Sequence, residues 1–164
     1  MVNSVEQARR DMIEAAGRTT QDFGLGRIVG QLYALLYFNP SPMSLDDMAG
    51  KLKISKASVS TNIRDLVKWS AVRKVWVAGS RRDYYEARTD FIDILRKGIL
   101  PFVRGKLSSS VIAADESIKL LTSISDEDGQ VDKGEKEFCR SRLEMIKNSH
   151  RKIALLLELG SGLE

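Results

Sequence analysis

The feature that most constrains this chain is an unbroken succession of two capped helical patterns and one hairpin pattern, SLDDMAGKLKISKASVSTNIRDLVKWSAVRKVWVAGSRRDYYEA, at residues 44–87. Ser44 supplies a hydroxyl that can cap the helix LDDMAGKL, whose Asp46 and Asp47 fall in the first turn, where the helix dipole favours carboxylates. Leu45, Met48, Ala49 and Leu52 turn inward and Ile54 closes the turn; the small Ala49 lets the next helix cross closely. Ser55 then caps KASVSTNIRDLVKW, with Val59, Ile63, Leu66 and Val67 as its inward stripe. VRKVWV alternates as a strand, AGSRR supplies a turn through Gly79 and Ser80, and DYYEA returns as a second strand. Helix, tight turn, helix and a two-stranded wing predict a mainly α chain with a small β-hairpin: a winged helix-turn-helix.

In that arrangement the second helix reads DNA and the wing reaches a flanking groove. At about 100° per residue, the face opposite Val59 and Ile63 carries Ala57, Ser58, Thr61, Arg64 and Asp65. Ser58 and Thr61 suit base edges, Ala57 a thymine methyl, and Arg64 a guanine or a phosphate. Ser55 and Lys56 stand at the helix N-terminus, where free amides and the dipole attract a phosphate. Asn62 is peripheral and open to either role. At the wing, Arg81 and Arg82 follow the glycine turn and suit the minor groove or its phosphates; Ser80 can add a hydrogen bond, and Arg73 and Lys74 extend the basic surface.

Charge distribution supports this reading. The chain of 164 residues has a net charge of only +4. Yet residues 51–104 hold 13 basic against 5 acidic side chains (+8), whereas residues 1–50 hold 4 against 6 and residues 105–164 hold 9 against 11 (−2 each). The whole excess coincides with the reading helix and the wing, as expected of a surface that docks on phosphates.

The flanks are helical. VEQARRDMIEAAGRTTQD has an apolar stripe through Val5, Ala8, Met12 and Ala15, and GRIVGQLYALLYF is covered on almost every side before Pro40 and Pro42 break the pattern. A further helix starts at Thr89 and Asp90 and runs through Phe91, Ile94, Leu95, Ile99, Phe102 and Val103, with a kink expected at Pro101 and discontinuity at Gly98 or Gly105. Its pattern resumes to Ile124, residues 125–134 read as a loop, and a last helix covers about 135–159. These flanks hold more apolar positions than one small domain needs. The reading is therefore residues 1–23 as an N-terminal dimerisation helix, 24–88 as the DNA-binding domain and 89–159 as a C-terminal dimerisation region. Residues 160–164, GSGLE, read as a tail, added in expression or native. A homodimer would set two reading helices about one DNA turn apart on a palindromic operator in double-stranded DNA.

Other function classes find little support. One cysteine, Cys139, excludes an internal disulfide, and one histidine, His150, excludes the usual structural zinc patterns. Both lie in the terminal helix without a partner visible in sequence, so neither an enzyme nor a metal or cofactor is expected. GLGRIVG follows no strand and is a poor dinucleotide motif. No apolar run reaches the roughly 18 residues of a membrane span, and the charged start, MVNSVEQARRDM, lacks a secretory core, so the expected location is cytoplasmic. The competing reading is a winged protein-interaction module without specific DNA binding. The aromatic side chains Tyr33, Tyr37, Phe38, Trp69 and Trp76 suit either core packing or a pocket for an organic cation.

GRIVGQLYALLYF followed by PMSLDDMAGKLKISKASVSTNIRDLVKWSAVRKVWVAGSRRDYYEA resembles the GbsR branch of the MarR-type winged-helix transcriptional regulators. SKASVSTNIRDL is similar to that family's recognition helix, with Ser55, Lys56, Ser58 and Thr61 at its DNA-facing start, and GSRRDYY to its wing, with Arg81 and Arg82 at the tip. The resemblance implies a dimer joined by its terminal helices, palindromic operators and frequent repression. In some members it also implies control of osmoprotectant synthesis or uptake and a response to choline-like quaternary ammonium effectors held in an aromatic cage.

Overall fold

The computed structural model describes residues 4–124 and 132–161, which divide into two compact units after Gly98. In the first unit, α1 (Ser4–Asp22) and α2 (Arg27–Tyr37) cross at two glycines. A Cβ at Gly30 would stand 2.2 Å from the Ala16 carbonyl oxygen, and one at Gly17 would stand 2.8 Å from Cγ of Gln31. Only hydrogen atoms fit at this crossing. The Thr20 hydroxyl donates to the Gly26 carbonyl at 2.8 Å and receives the Gly30 amide at 3.2 Å, while Glu14 pairs with Arg27 and accepts from Gln31 at 2.8 Å.

β1 (Met43–Ser44) leads into α3 (Leu45–Leu52), and α4 (Lys56–Lys68) follows a tight turn in which Lys53 adopts a left-handed conformation, φ 55°. Both serine caps form. The Ser44 hydroxyl receives the Asp47 amide at 3.2 Å while Asp47 accepts the Ser44 amide at 3.0 Å, and the Ser55 hydroxyl receives the Ser58 amide at 3.1 Å. Hydrogen bonds from Ser44 hold the Asp47 carboxyl below the ordinary carboxylate range. Helix α4 ends in a left-handed cap at Ser70, φ 58°, where the Ala71 amide donates to Leu66 O and the Ser70 amide to Val67 O.

β2 (Val72–Val75) and β3 (Tyr84–Ala87) form the wing. Sequence patterning gives a two-stranded hairpin; the sheet has a third member, because Met43 and Ser44 pair antiparallel with Tyr85 and Tyr84 in the order β1-β3-β2. The extra strand is two residues long, too short to show alternation. The core joins Leu32 of α2, Met48 of α3, Val59, Ile63 and Leu66 of α4 and Val72 of β2. Each such side chain taken fully out of water stabilises the fold by roughly 1.5–3 kcal/mol. Val67 departs from the expected inward stripe and is 39% exposed, because at about 100° per residue it stands at the edge of the stripe, while Val59, Ile63 and Leu66 are buried.

Asp90 caps α5 (Phe91–Ile94) by accepting the Asp93 amide at 2.9 Å. The next five residues, Leu95–Ile99, form a π-helical turn. Gly98 lies against the end of α4: a Cβ there would be 1.7 Å from the Trp69 carbonyl oxygen. This close approach explains the interruption that the sequence assigns to proline and glycine, and Pro101 falls in the first turn of α6 (Leu100–Ser123), where a missing amide is tolerated.

The second unit pairs α6 with α7 (Lys133–Ser161). The helices are antiparallel, since Asp115 meets Lys147 at 2.8 Å and Arg151 at 3.5 Å while Arg104 meets Glu158 at 3.7 Å. Helix α7 begins two residues before the expected position, and residues 125–131 of the expected loop lie outside the described residues. Ala114 is buried, yet Ile112, Leu120, Phe138, Met145, Leu155, Leu156 and Leu159 remain exposed. Among the described residues no helix is long and apolar enough to cross a membrane.

Candidate nucleic-acid interface

The caps that start α3 and α4 also aim the candidate reading face. With its oxygen occupied as acceptor of the Ser58 amide, Ser55 keeps its own O–H available to a phosphate oxygen. Ala57, Thr61 and Arg64 are exposed along α4, and Ser58 and Asn62 are half-buried. Thr61 donates to the Ala57 carbonyl at 3.1 Å, Asn62 to Ser58 O at 2.8 Å and Arg64 to Ser60 O at 3.1 Å. Thr61 consequently presents its free lone pairs outward, an acceptor matched to the amino groups of adenine or cytosine in a major groove. Arg64 keeps its terminal guanidinium nitrogens for a longer reach.

The N-terminus of α4 and the wing converge. Ser44, Leu45, Asp46, Lys56, Arg81, Arg82 and Asp83 line one cleft, so the Lys56 ammonium and the two wing arginines face a common space. The wing turn is built at Gly79, φ 77°, and closed by the Ser80 amide donating to Val77 O at 3.2 Å. Ser80 then receives the Arg82 amide at 3.2 Å and fixes the chain entering Arg82.

Acidic side chains are interleaved with this basic surface, and sequence reasoning missed their role. Lys56 pairs with Asp46 at 2.9 Å, Lys74 with Asp83 at 2.8 Å and Arg73 with Glu86 at 2.5 Å. The signal for the last was available in the hairpin register, since Arg73 and Glu86 are directly opposite on β2 and β3. The hydrogen bond that Lys74 donates to Asp83, aided by the carboxylate's charge, raises the Lys74 pKa above the ordinary value. Arg81 and Arg82 are exposed and, among the described residues, have no carboxylate within ion-pair distance. Their guanidinium groups are therefore open to an incoming anion.

The five aromatic residues considered together in the sequence occupy different places. Tyr33 and Tyr37 have ring centroids 5.9 Å apart and each packs on Phe91, at 6.1 and 5.6 Å; Phe38 packs edge-on against Tyr37 at 5.2 Å. The Tyr33 hydroxyl donates to Arg88 O at 2.8 Å, and burial, reinforced by Tyr37, pushes its pKa up to about 12. Trp69 is buried at the end of α4, with its backbone against Gly98. Trp76 stands on the wing, 81% exposed, outside the tyrosine cluster. Phe91, an aromatic position the sequence reading left in a helical stripe, completes that cluster. Among the described residues no group of three or more His, Cys, Asp or Glu side chains could hold a metal ion.

Comparison with known proteins finds regulators of transcription among similar chains. No protein-family model matches the chain. It is 31% identical over 114 residues to the HTH-type transcriptional repressor GbsR of Bacillus subtilis (strain 168), across 70% of this chain and 63% of that protein. It is 28% identical over 87 residues to the HTH-type transcriptional repressor OpcR of the same organism, across 53% of this chain and 47% of that one. The chain thus spans about half to somewhat under two-thirds of the length of these relatives. A solved crystal structure of a transcriptional regulator matches with a TM-score of 0.69 at 22% identity, covering 94% of this chain and 96% of the other, a likeness of fold. The chain is thus similar in sequence to two HTH-type transcriptional repressors and has a winged helix-turn-helix fold.

Proposed function

We propose that this chain is a sequence-specific DNA-binding transcriptional regulator, acting as a repressor rather than an enzyme. The observation that carries the reading is the common cleft of Lys56, Arg81 and Arg82 beside the exposed polar side of α4. Such a surface couples phosphate anchoring to base reading: Ser55, Lys56, Ser80, Arg81 and Arg82 position the duplex, with Arg73 and Lys74 as outlying cations. Ala57, Ser58, Thr61, Asn62 and Arg64 read its major groove. Similarity to two repressors supports the direction of regulation.

Residues 24–88 are assigned to DNA reading, residues 1–23 and 89–159 to homodimerisation and 160–164 to a tail. The exposed apolar side chains of α6 and α7, including Phe138 and Leu156 at 61% and 66%, support a second copy as their cover. Two-fold symmetry then favours a palindromic operator, read in the cytoplasm. The finer reading of a quaternary ammonium effector rests on Tyr33, Tyr37 and Phe91, whose converging rings offer π faces to a cation.

Selection from random duplex DNA, with recovered sequences rebound at several salt concentrations, tests the function. A two-fold symmetric consensus is expected. Recovery of no preferred sequence at any salt would sink the regulator reading and favour a protein-interaction module.

A further inference from the structure

Trp76 is the most exposed large apolar side chain of the described residues at 81%, and it makes no ring contact. It follows the last residue of β2 directly and lies in a cleft lined by Lys74, Ser80, Arg81, Arg82 and Asp83. Lys74 and Asp83 neutralise each other at 2.8 Å, which leaves the indole beside two guanidinium groups that, among the described residues, have no carboxylate at ion-pair distance. That environment argues against Trp76 as a cage wall for an organic cation. The ring face would attract such a ligand, but two adjacent positive charges oppose it. A second copy docking two-fold through the same patch would bring another pair of arginines to this place.

A flat apolar plate flanked by two cations matches a surface with an apolar floor between two anionic rims. The minor groove of a DNA duplex has that composition: sugar edges line its walls, phosphates run along both sides, and apolar side chains are known to enter it beside arginines. We infer that Trp76 is a DNA-contacting residue of the wing, its indole packing on the deoxyribose wall of the minor groove while Arg81 and Arg82 hold the bordering phosphates. The inference rests on the DNA-binding reading and adds to it an uncharged contact. Such a contact contributes affinity that salt does not screen, unlike that of the arginines.

The test uses the full chain and a mixed-sequence duplex spanning two helical turns. Trp69 is buried and Trp76 exposed, so acrylamide quenching reports chiefly on Trp76. Addition of the duplex is expected to lower its acrylamide accessibility. Trp76→Ala is expected to weaken binding roughly tenfold with an unchanged salt slope, and Trp76→Phe to retain most of the affinity. Both variants should melt with the parent, because an exposed side chain is removed. If the parent binds the duplex while Trp76 stays equally accessible and Trp76→Ala binds as well, the inference is overturned and the DNA reading stands. If the parent binds no duplex at any salt, both fall. Protection of Trp76 on concentrating the protein without DNA would assign it to contact between copies and likewise overturn the inference.

Discussion

The Lys56 ammonium, at the start of the candidate reading helix, rests 2.9 Å from a carboxylate oxygen of Asp46 on the preceding helix. A phosphate arriving at the N-terminus of α4 must displace that carboxylate or share its cation. Because both partners are about half exposed, the pair itself stabilises the fold by at most about 1 kcal/mol. Asp46→Asn is therefore expected to leave the melting temperature nearly unchanged, raise affinity for all duplexes several-fold and steepen the salt dependence by about one phosphate contact. Fluorescence anisotropy over a salt series reads both quantities; an unchanged slope contradicts the exchange.

Phosphate anchoring and base reading separate by mutation. Arg81→Ala should weaken binding to preferred and unrelated duplexes alike and flatten the salt slope by about one. Thr61→Ala should shift preference among operator variants at nearly constant salt slope. Parallel titrations of a small operator panel distinguish the two, and a uniform loss for Thr61→Ala argues against base reading by that residue.

Two glycines should respond oppositely to alanine. Gly98→Ala puts a methyl group 1.7 Å from the Trp69 carbonyl oxygen, so two backbones must separate, and a loss of at least about 3 kcal/mol is expected. Gly105, in α6, has nothing within 4 Å of an added Cβ, and its replacement should stabilise by about 0.5–1 kcal/mol through helix propensity. Urea unfolding at one fixed protein concentration compares them.

Ser70→Gly should also stabilise, by about 1 kcal/mol, since Ser70 holds φ at 58° in the cap of α4 and glycine adopts that conformation without a Cβ clash. Ser70→Val should lose more than that. The same unfolding curves decide, and equal midpoints for all three chains contradict the cap argument.

The Asp47 carboxyl is held below the ordinary range by hydrogen bonds from Ser44. A depressed folded-state pKa contributes stability that is present above the unfolded value near pH 4 and disappears as pH falls through the lower folded value. Thermal melts should show this acid limb, and Asp47→Asn should reduce it while costing about 1 kcal/mol at neutral pH. An identical acid limb in that variant would assign the transition to other carboxylates.

What the chain reveals in one dimension is whatever is decided within a few residues. Ser44 and Ser55 announce their helices because a cap is closed within three positions, and Gly79 announces the wing because only the turn itself demands its φ. The reading face of α4 follows from periodicity for the same reason. Contacts between distant segments are silent. Gly98 marks an interruption in the sequence, but nothing near it discloses a π turn that answers to the Trp69 carbonyl, and nothing near Lys56 names Asp46 as its partner. Val67, expected inward, and Trp76, expected in the core or a pocket, both lie exposed, because an apolar residue at a plausible spacing does not reveal whether a neighbour arrives to cover it.

The crossing of α1 on α2 divides labour between two sides of one helix. Its closest approach is at Gly17, Gly30, the Ala16 carbonyl and the Thr20 hydroxyl, with Glu14 reaching Arg27 and Gln31 beside it. Val5 and Met12 of α1 are about half exposed. Mutation can therefore rewrite the outward side of α1, the side proposed for assembly, while the inward side keeps its fit.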